Sequence, residues 1–165
     1  MRIRPEVPGD YDAVDQVVEQ AFGRADEARL VRSLRDSDGY VPALSLVADV
    51  DGEVLGHVML SYVDLGGSRV LCLAPLAVRP DAQRDGIGIA LTEAALEAAE
   101  AMGSPLVIVT GHPTYYPRFG FVPARPLGIE PPDPVPDEAF MVKRLASYDP
   151  ALRGRVAYPA AWDVL

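Results

Sequence analysis

The apolar positions of this chain switch between two periods, and each switch marks a change of element. Met1 to Arg4 alternates apolar and charged residues, which predicts a short first strand. Val14, Val17, Val18 and Ala21 recur at helical spacing, predicting a helix through Phe22 with Asp10 as its N-cap. A second helix is predicted from Asp26 to Leu34, with Ala28, Leu30, Val31 and Leu34 as its apolar stripe; Asp38-Gly39 ends it. Apolar runs then take over. Ala43 to Val50 and Val54 to Tyr62 are joined by Asp51-Gly52, a two-residue hairpin signal. Gly66-Gly67-Ser68 turns into a third run, Val70 to Val78, so the block reads as an antiparallel meander.

The helical period returns from Gly86 to Met102, with Ile87, Leu91, Ala94, Ala98 and Met102 near one face. Gly103-Ser104-Pro105 stops it, and Leu106 to Thr110 reads as a strand buried on both faces. Strand, loop, helix and strand in that order imply a crossover between parallel neighbours, hence a mixed sheet. From His112 onward prolines crowd, among them Pro113, Pro117, Pro131, Pro132 and Pro134, and predict a rigid surface loop. Ala139 to Leu145 resembles a last strand. The expected architecture is one α/β (α+β) domain over 1–165, with a core of about 1–145 and an extension, 146–165, that no period assigns.

Composition narrows the function. A chain of 165 residues, 49% apolar, is long enough to bury a core. No apolar run is long enough to span a bilayer, and the N-terminus lacks the apolar core of a signal peptide, so residence in the cytoplasm is expected. The single cysteine, Cys72, excludes an internal disulfide and fits a reducing compartment. A net charge of -9 argues against nucleic acid or an anionic membrane as partner and suits a cationic amine. No His or Cys cluster has metal-ligand spacing, so no metal is expected.

Gln83-Arg84-Asp85-Gly86-Ile87-Gly88 lies between the Val70–Val78 run and the following helix. Unpaired N–H groups at the positive end of a helix suit a phosphate or pyrophosphate, and glycine lets a ligand approach the backbone. It is neither a P-loop nor Gly-x-Gly-x-x-Gly, which argues against other nucleotide binders. Gln-Arg-x-Gly-Ile-Gly after Leu76-Ala77-Val78 resembles the acyl-CoA signature of the GCN5-related N-acetyltransferases. Tyr115-Tyr116-Pro117-Arg118-Phe119-Gly120-Phe121 is similar to the Tyr-x-x-x-Gly-Phe segment late in that fold. The resemblance covers roughly residues 2–145 and is nearest to the YhbS-like group.

The resemblance implies acetyl-CoA as co-substrate and direct attack by an acceptor amine in a ternary complex. It assigns the pantetheine arm to the backbone of Leu76, Ala77 and Val78, and the pyrophosphate to Gln83 through Gly88. Asp85 stands where the family often has a basic or small residue, and disfavours an anion unless it points to solvent. Tyr116 takes the place of the general acid that protonates the CoA thiolate, with Tyr115 second. A phenol suits that role because it keeps its proton at neutral pH until the thiolate forms. Arg118 reads as a surface residue within reach of a CoA phosphate. His112, after the buried strand, is a candidate base or relay; His57, inside a strand, reads as structural. Asp26 and Glu27 border the acceptor region of this fold. Cys72 reads as a small core residue rather than a nucleophile. The alternative is an acyl-CoA-binding sensor that turns nothing over. The acceptor and any homodimer stay open.

Overall fold

The Asp51-Gly52 turn joins β2 (Tyr40–Val50) to β3 (Glu53–Leu65), and Gly66-Gly67 joins β3 to β4 (Ser68–Val78). Asp51 has φ 53° and Gly52 φ 83°, the left-handed pair that such a hairpin turn needs. The computed structural model describes residues 1–165, and all three strands run longer than the apolar pattern alone marks. β1 (Arg2–Pro5) pairs with β2 at one edge. On the other side follow β5 (Leu106–Thr110), β8 (Phe140–Arg144) and β6 (Val122–Pro123), in the order β1-β2-β3-β4-β5-β8-β6. Only β4 and β5 in this path run parallel, across the predicted crossover. Two short strands, β7 (Ile129–Glu130) and β9 (Gly154–Ala157), pair with each other, and β9 also joins β3.

Strand alternation sorts the core into two halves. Val47, Met59, Cys72 and Ile108 face α1 (Tyr11–Phe22) and α2 (Asp26–Arg35). Their neighbours Leu46, Val58, Leu71 and Val107 face α3 (Ile87–Ala101). α3 is set close: a Cβ on Gly56 would lie 2.8 Å from Leu91 and 3.0 Å from Ile87. Its buried face runs through Ile87, Leu91, Ala95 and Ala99, while Met102 is exposed. The expected stripe through Ala94 and Ala98 is thus displaced by about one position, because Ala offers the pattern little contrast. Asp10 occupies the N-cap position of α1, but its side chain makes no capping bond to the helix; its carboxylate accepts from Arg4 at 2.8 and 3.0 Å and from the Val7 N–H at 2.8 Å.

Two features set up the site. β4 pairs with β5 only at Leu71–Val107 and Cys72–Ile108, yet it continues to Val78 along β3. A register shift places Leu73 opposite Leu60 but Leu76 opposite Val58, so Ala74 and Pro75 together oppose the single Met59, one residue is extra, and the strand bends away from β5. The second feature is residues 146–165. Val156 and Trp162 enter the core with α1 and α2, and Ser33 Oγ donates to the Ala161 carbonyl at 2.7 Å. The expected boundary at residue 145 does not separate these residues from the core they complete.

Candidate active site

A cleft of about 810 Å³ opens where β4 and β5 part. Its walls come from both faces of the sheet. Leu73, Ala74, Pro75, Leu76 and Val78 of β4 line the split, with Thr110 and Gly111 opposite. On the α1–α2 face stand Ala21, Phe22, Glu27 and Leu30, joined by Trp162 and Leu165. On the α3 face stand Gln83, Arg84, Gly86, Gly88 and Ile89, with Tyr115 and Arg118 beside them.

The glycine segment is a strand-to-helix turn, as its position predicts. Gly86, at φ 83°, occupies the N-cap of α3, and Arg84 is also left-handed at φ 71°. The helix makes its first internal bond from Ala90 N–H to Gly86 O at 3.0 Å, so the N–H groups of Ile87, Gly88 and Ile89 have no partner within the helix. The Tyr115 hydroxyl lies 3.1 Å from where a Gly88 Cβ would stand; any side chain there would crowd both phenol and ligand. Gln83 Nε2 donates to the Val78 carbonyl at 3.0 Å and ties the loop to the strand end. Asp85 is exposed and off the lining, which removes the conflict expected between its charge and an anion. Ala77 and Ile87 bury their side chains in opposite halves of the core, so only their backbones can serve a ligand.

Tyr116 and Tyr115 both reach the cleft, from a 3-10 turn ended by Gly120 at φ 91°. Tyr116 is buried edge-on to Tyr115 at 5.0 Å and to Phe121 at 5.5 Å between ring centroids. Burial raises its phenol above the ordinary range, and the neighbouring Tyr115 adds to this. Arg118 lies over the Tyr115 ring at 4.6 Å and donates to the Tyr115 carbonyl at 2.9 Å. His112 lines the rim, exposed, with its carbonyl accepting from Tyr115 N–H at 3.1 Å.

The two acids separate. Glu27 lines the cleft, but both its oxygens accept from Arg24, a bond that holds its carboxyl below the usual range. Asp26 lies off the lining and pairs with Arg29 and, at 3.6 Å, with Arg24. Its position one residue back on the helix turns it away from the face Glu27 shares with Leu30. Cys72 is sealed in the core, where burial pushes its thiol up to about 12.

Sequence reading missed two things. One is Trp162 with the tail that carries it; a cluster of aromatic residues after Leu145 was the only signal. The other is a buried network beneath β1 to β3. Glu6 accepts from Arg35 at 2.8 and 3.1 Å and from Tyr40 at 2.8 Å, with His57 Nε2 3.7 Å away and 3.0 Å from Ser45 Oγ. Nothing local in the sequence links these five residues.

Comparison with known proteins agrees with this geometry. The acetyltransferase (GNAT) domain model matches residues 42–123. The uncharacterized N-acetyltransferase YjhQ of Escherichia coli K12 is 37% identical, over 89% of this chain and 86% of its own. YhbS of the same strain is 35% identical, over 93% and 92%. A crystal structure of Escherichia coli YhbS in complex with CoA superposes with a TM-score of 0.90 at 32% identity, covering 98% of this chain and 91% of that one. A GNAT family acetyltransferase from Brucella melitensis in complex with acetyl-CoA gives 0.82 at 32% identity, covering 98% and 97%. The split strand pair, the glycine turn and these relatives define an acyltransferase. The chain belongs to the GCN5-related N-acetyltransferase (GNAT) family, and within it to the YhbS-like group.

Proposed function

We propose that this enzyme moves an acetyl group from acetyl-CoA to an acceptor amine by direct attack in a ternary complex. The observation that carries the reading is the single cleft through the β4–β5 split, open to the α3 N-terminus on one face and to α1, α2 and Trp162 on the other. The pyrophosphate is assigned to the N–H groups at Gly86 to Gly88, with Arg84 at the rim. The backbone of Leu76 to Val78, unpaired on the β5 side, takes the pantetheine arm. The acetyl carbonyl then lies in the split, and the amine meets it from the other face.

In the step itself the amine nitrogen forms a C–N bond to the acetyl carbon, and the tetrahedral intermediate expels the CoA sulfur. One proton leaves the nitrogen and one reaches the thiolate. Tyr116 supplies the second. Its burial keeps the phenol protonated, and the same dry surroundings raise the proton affinity of the departing thiolate. Glu27 is a weak base for the first proton, since the Arg24 guanidinium on both its oxygens lowers its proton affinity. His112 is the lining base whose ring takes no part in a side-chain hydrogen bond, and it relays that proton to solvent. The phenol is reprotonated from water.

Calorimetric titration with acetyl-CoA, against ATP and NAD, tests the first half. Absence of acetyl-CoA binding sinks the reading. Tyr116→Phe tests the second: binding is retained and kcat falls by roughly 10²-fold, the usual worth of a positioned acid. Selective binding without turnover of any amine by the wild type would leave the chain as an acyl-CoA sensor.

A further inference from the structure

β5 ends in a peptide group that the sheet leaves open. Gly111 N–H donates to the Ala139 carbonyl at 2.9 Å and Leu145 N–H to the Pro105 carbonyl at 2.9 Å, so the odd-numbered residues of this segment turn their backbone groups to β8. Alternation then turns the N–H and C=O of Leu106, Ile108 and Thr110 toward β4. The parallel ladder stops at Cys72–Ile108. Its next carbonyl on β5 is that of Thr110, and the β4 residue in line to donate is Pro75, which has no N–H. The Thr110 carbonyl therefore opens into the split. Leu106 to Val109 are buried, but Thr110 is exposed and lines the cleft, although Phe140 pairs with it on the other edge.

The Thr110 side chain adds a second oxygen. Val107 and Val109 face α3 and Ile108 faces α1 and α2, so Thr110 shares the face of Ile108, the side from which the amine enters. There its hydroxyl lies against the phenol of Tyr158, whose ring is held by stacking on Trp162 at 4.1 Å. Burial raises that phenol above the ordinary range, and Thr110 draws it back, as a hydroxyl does when it donates to the phenol oxygen. With its O–H directed to Tyr158, the Thr110 oxygen keeps a lone pair for a ligand.

We propose that Thr110 positions the acceptor: its carbonyl takes one N–H of a primary amine, its hydroxyl oxygen takes the other, and the nitrogen lone pair is left aimed at the acetyl carbon in the split. This role rests on the acetyl-transfer reading and assigns a positioning residue to the same site. A primary amine has an N–H for each oxygen. A secondary amine has one, and leaves an oxygen of Thr110 without a partner in the complex. Thr110 thus sets both the direction of attack and the degree of substitution of the nitrogen.

The test uses the full chain with acetyl-CoA and follows CoA release with matched acceptors: benzylamine, L-alaninamide and putrescine, each beside its N-methyl derivative. The wild type is expected to turn over primary amines and to prefer them to their N-methyl partners. Thr110→Val keeps the shape of the side chain and removes the hydroxyl. It should lower kcat/KM for the primary amine by roughly tenfold, the worth of one hydrogen bond, and leave the N-methyl amine unchanged, so the preference narrows by that factor. A purely steric bias against the methyl group predicts no such narrowing. Thr110→Ser restores the oxygen and should restore the preference. Tyr158→Phe should lower kcat/KM for the primary amine, and should add nothing further to Thr110→Val in the double variant. An unchanged KM of acetyl-CoA and melting temperature in Thr110→Val exclude a folding defect. The role of Thr110 is overturned if Thr110→Val slows both members of a pair equally, if it slows neither, if the N-methyl amine is the better substrate, or if no primary amine is turned over by an enzyme that binds acetyl-CoA. Loss of acetyl-CoA binding by the wild type is a different result, and overturns the acetyl-transfer reading itself.

Discussion

Gly111→Ala moves the proposed general acid without deleting it. Gly111 follows β5 and lies against Tyr116; a Cβ there would stand 2.4 Å from Cε2 and 3.0 Å from Cδ2 of the ring. Ordinary contact begins near 3.4 Å, so the ring must retreat by about 1 Å. Tyr115 and Phe121 pack edge-on against it at 5.0 and 5.5 Å and resist that movement. The backbone of Gly111 lies outside the left-handed region, so the methyl group rather than strain is the perturbation. Overpacking of this kind costs about 1–3 kcal/mol, read as a lowered denaturation midpoint. A displacement of about 1 Å at a reacting group costs on the order of 10²-fold in rate. Steady-state kinetics with a saturating amine should therefore show kcat down by that factor and the KM of acetyl-CoA little changed. Gly111→Ala combined with Tyr116→Phe should be no slower than the worse single variant, because both remove the same proton transfer. A folded Gly111→Ala enzyme with wild-type kcat would refute the placement of Tyr116 at the reacting sulfur.

Acid stability reports on the buried network. Burial drives His57 down to about 4 against Glu6, which opposes the shift, while Arg35 reinforces it. Burial pushes Glu6 upward, but Arg35, His57, Ser45 and Tyr40 carry its carboxyl below the usual range. The unfolded chain therefore binds more protons in acid than the native one does. From pH 6.5, the ordinary histidine value, to about 4, stability attributable to His57 falls by on the order of 3 kcal/mol. Melting temperatures across this window should drop steeply in the wild type and less steeply in His57→Gln; parallel curves would exclude His57 as the cause. Cys72→Ala should keep wild-type kcat, because a thiol raised to about 12 in the core cannot carry an acetyl group. A trapped acetyl-thioester on Cys72 would overturn the direct-attack mechanism.

Local patterns determined the element order. The Asp51-Gly52 turn, the apolar run of Leu106 to Thr110 and the helical period after Gly86 each depend on neighbours within a few residues, and each appears where the sequence places it. The glycine turn and the Tyr115–Phe121 segment were legible for the same reason: a helix N-terminus and a short aromatic turn are local objects. Where patterning had no contrast, as along the alanines of α3, the buried face was misjudged. Tertiary structure alone decided what shares a wall. Ser33 and Ala161 are 128 residues apart, and their bond is part of what brings Trp162 to α2. Glu6, Arg35, Tyr40, Ser45 and His57 meet through strand pairing and helix packing rather than through any spacing. Whether an acid faces the cleft, as Glu27 does, or turns away to its own partners, as Asp26 does, depends on one position of helical rotation and on the arginines nearby. The chain encodes its elements through short-range preferences, but the lining of the cleft comes from groups brought together across the whole fold.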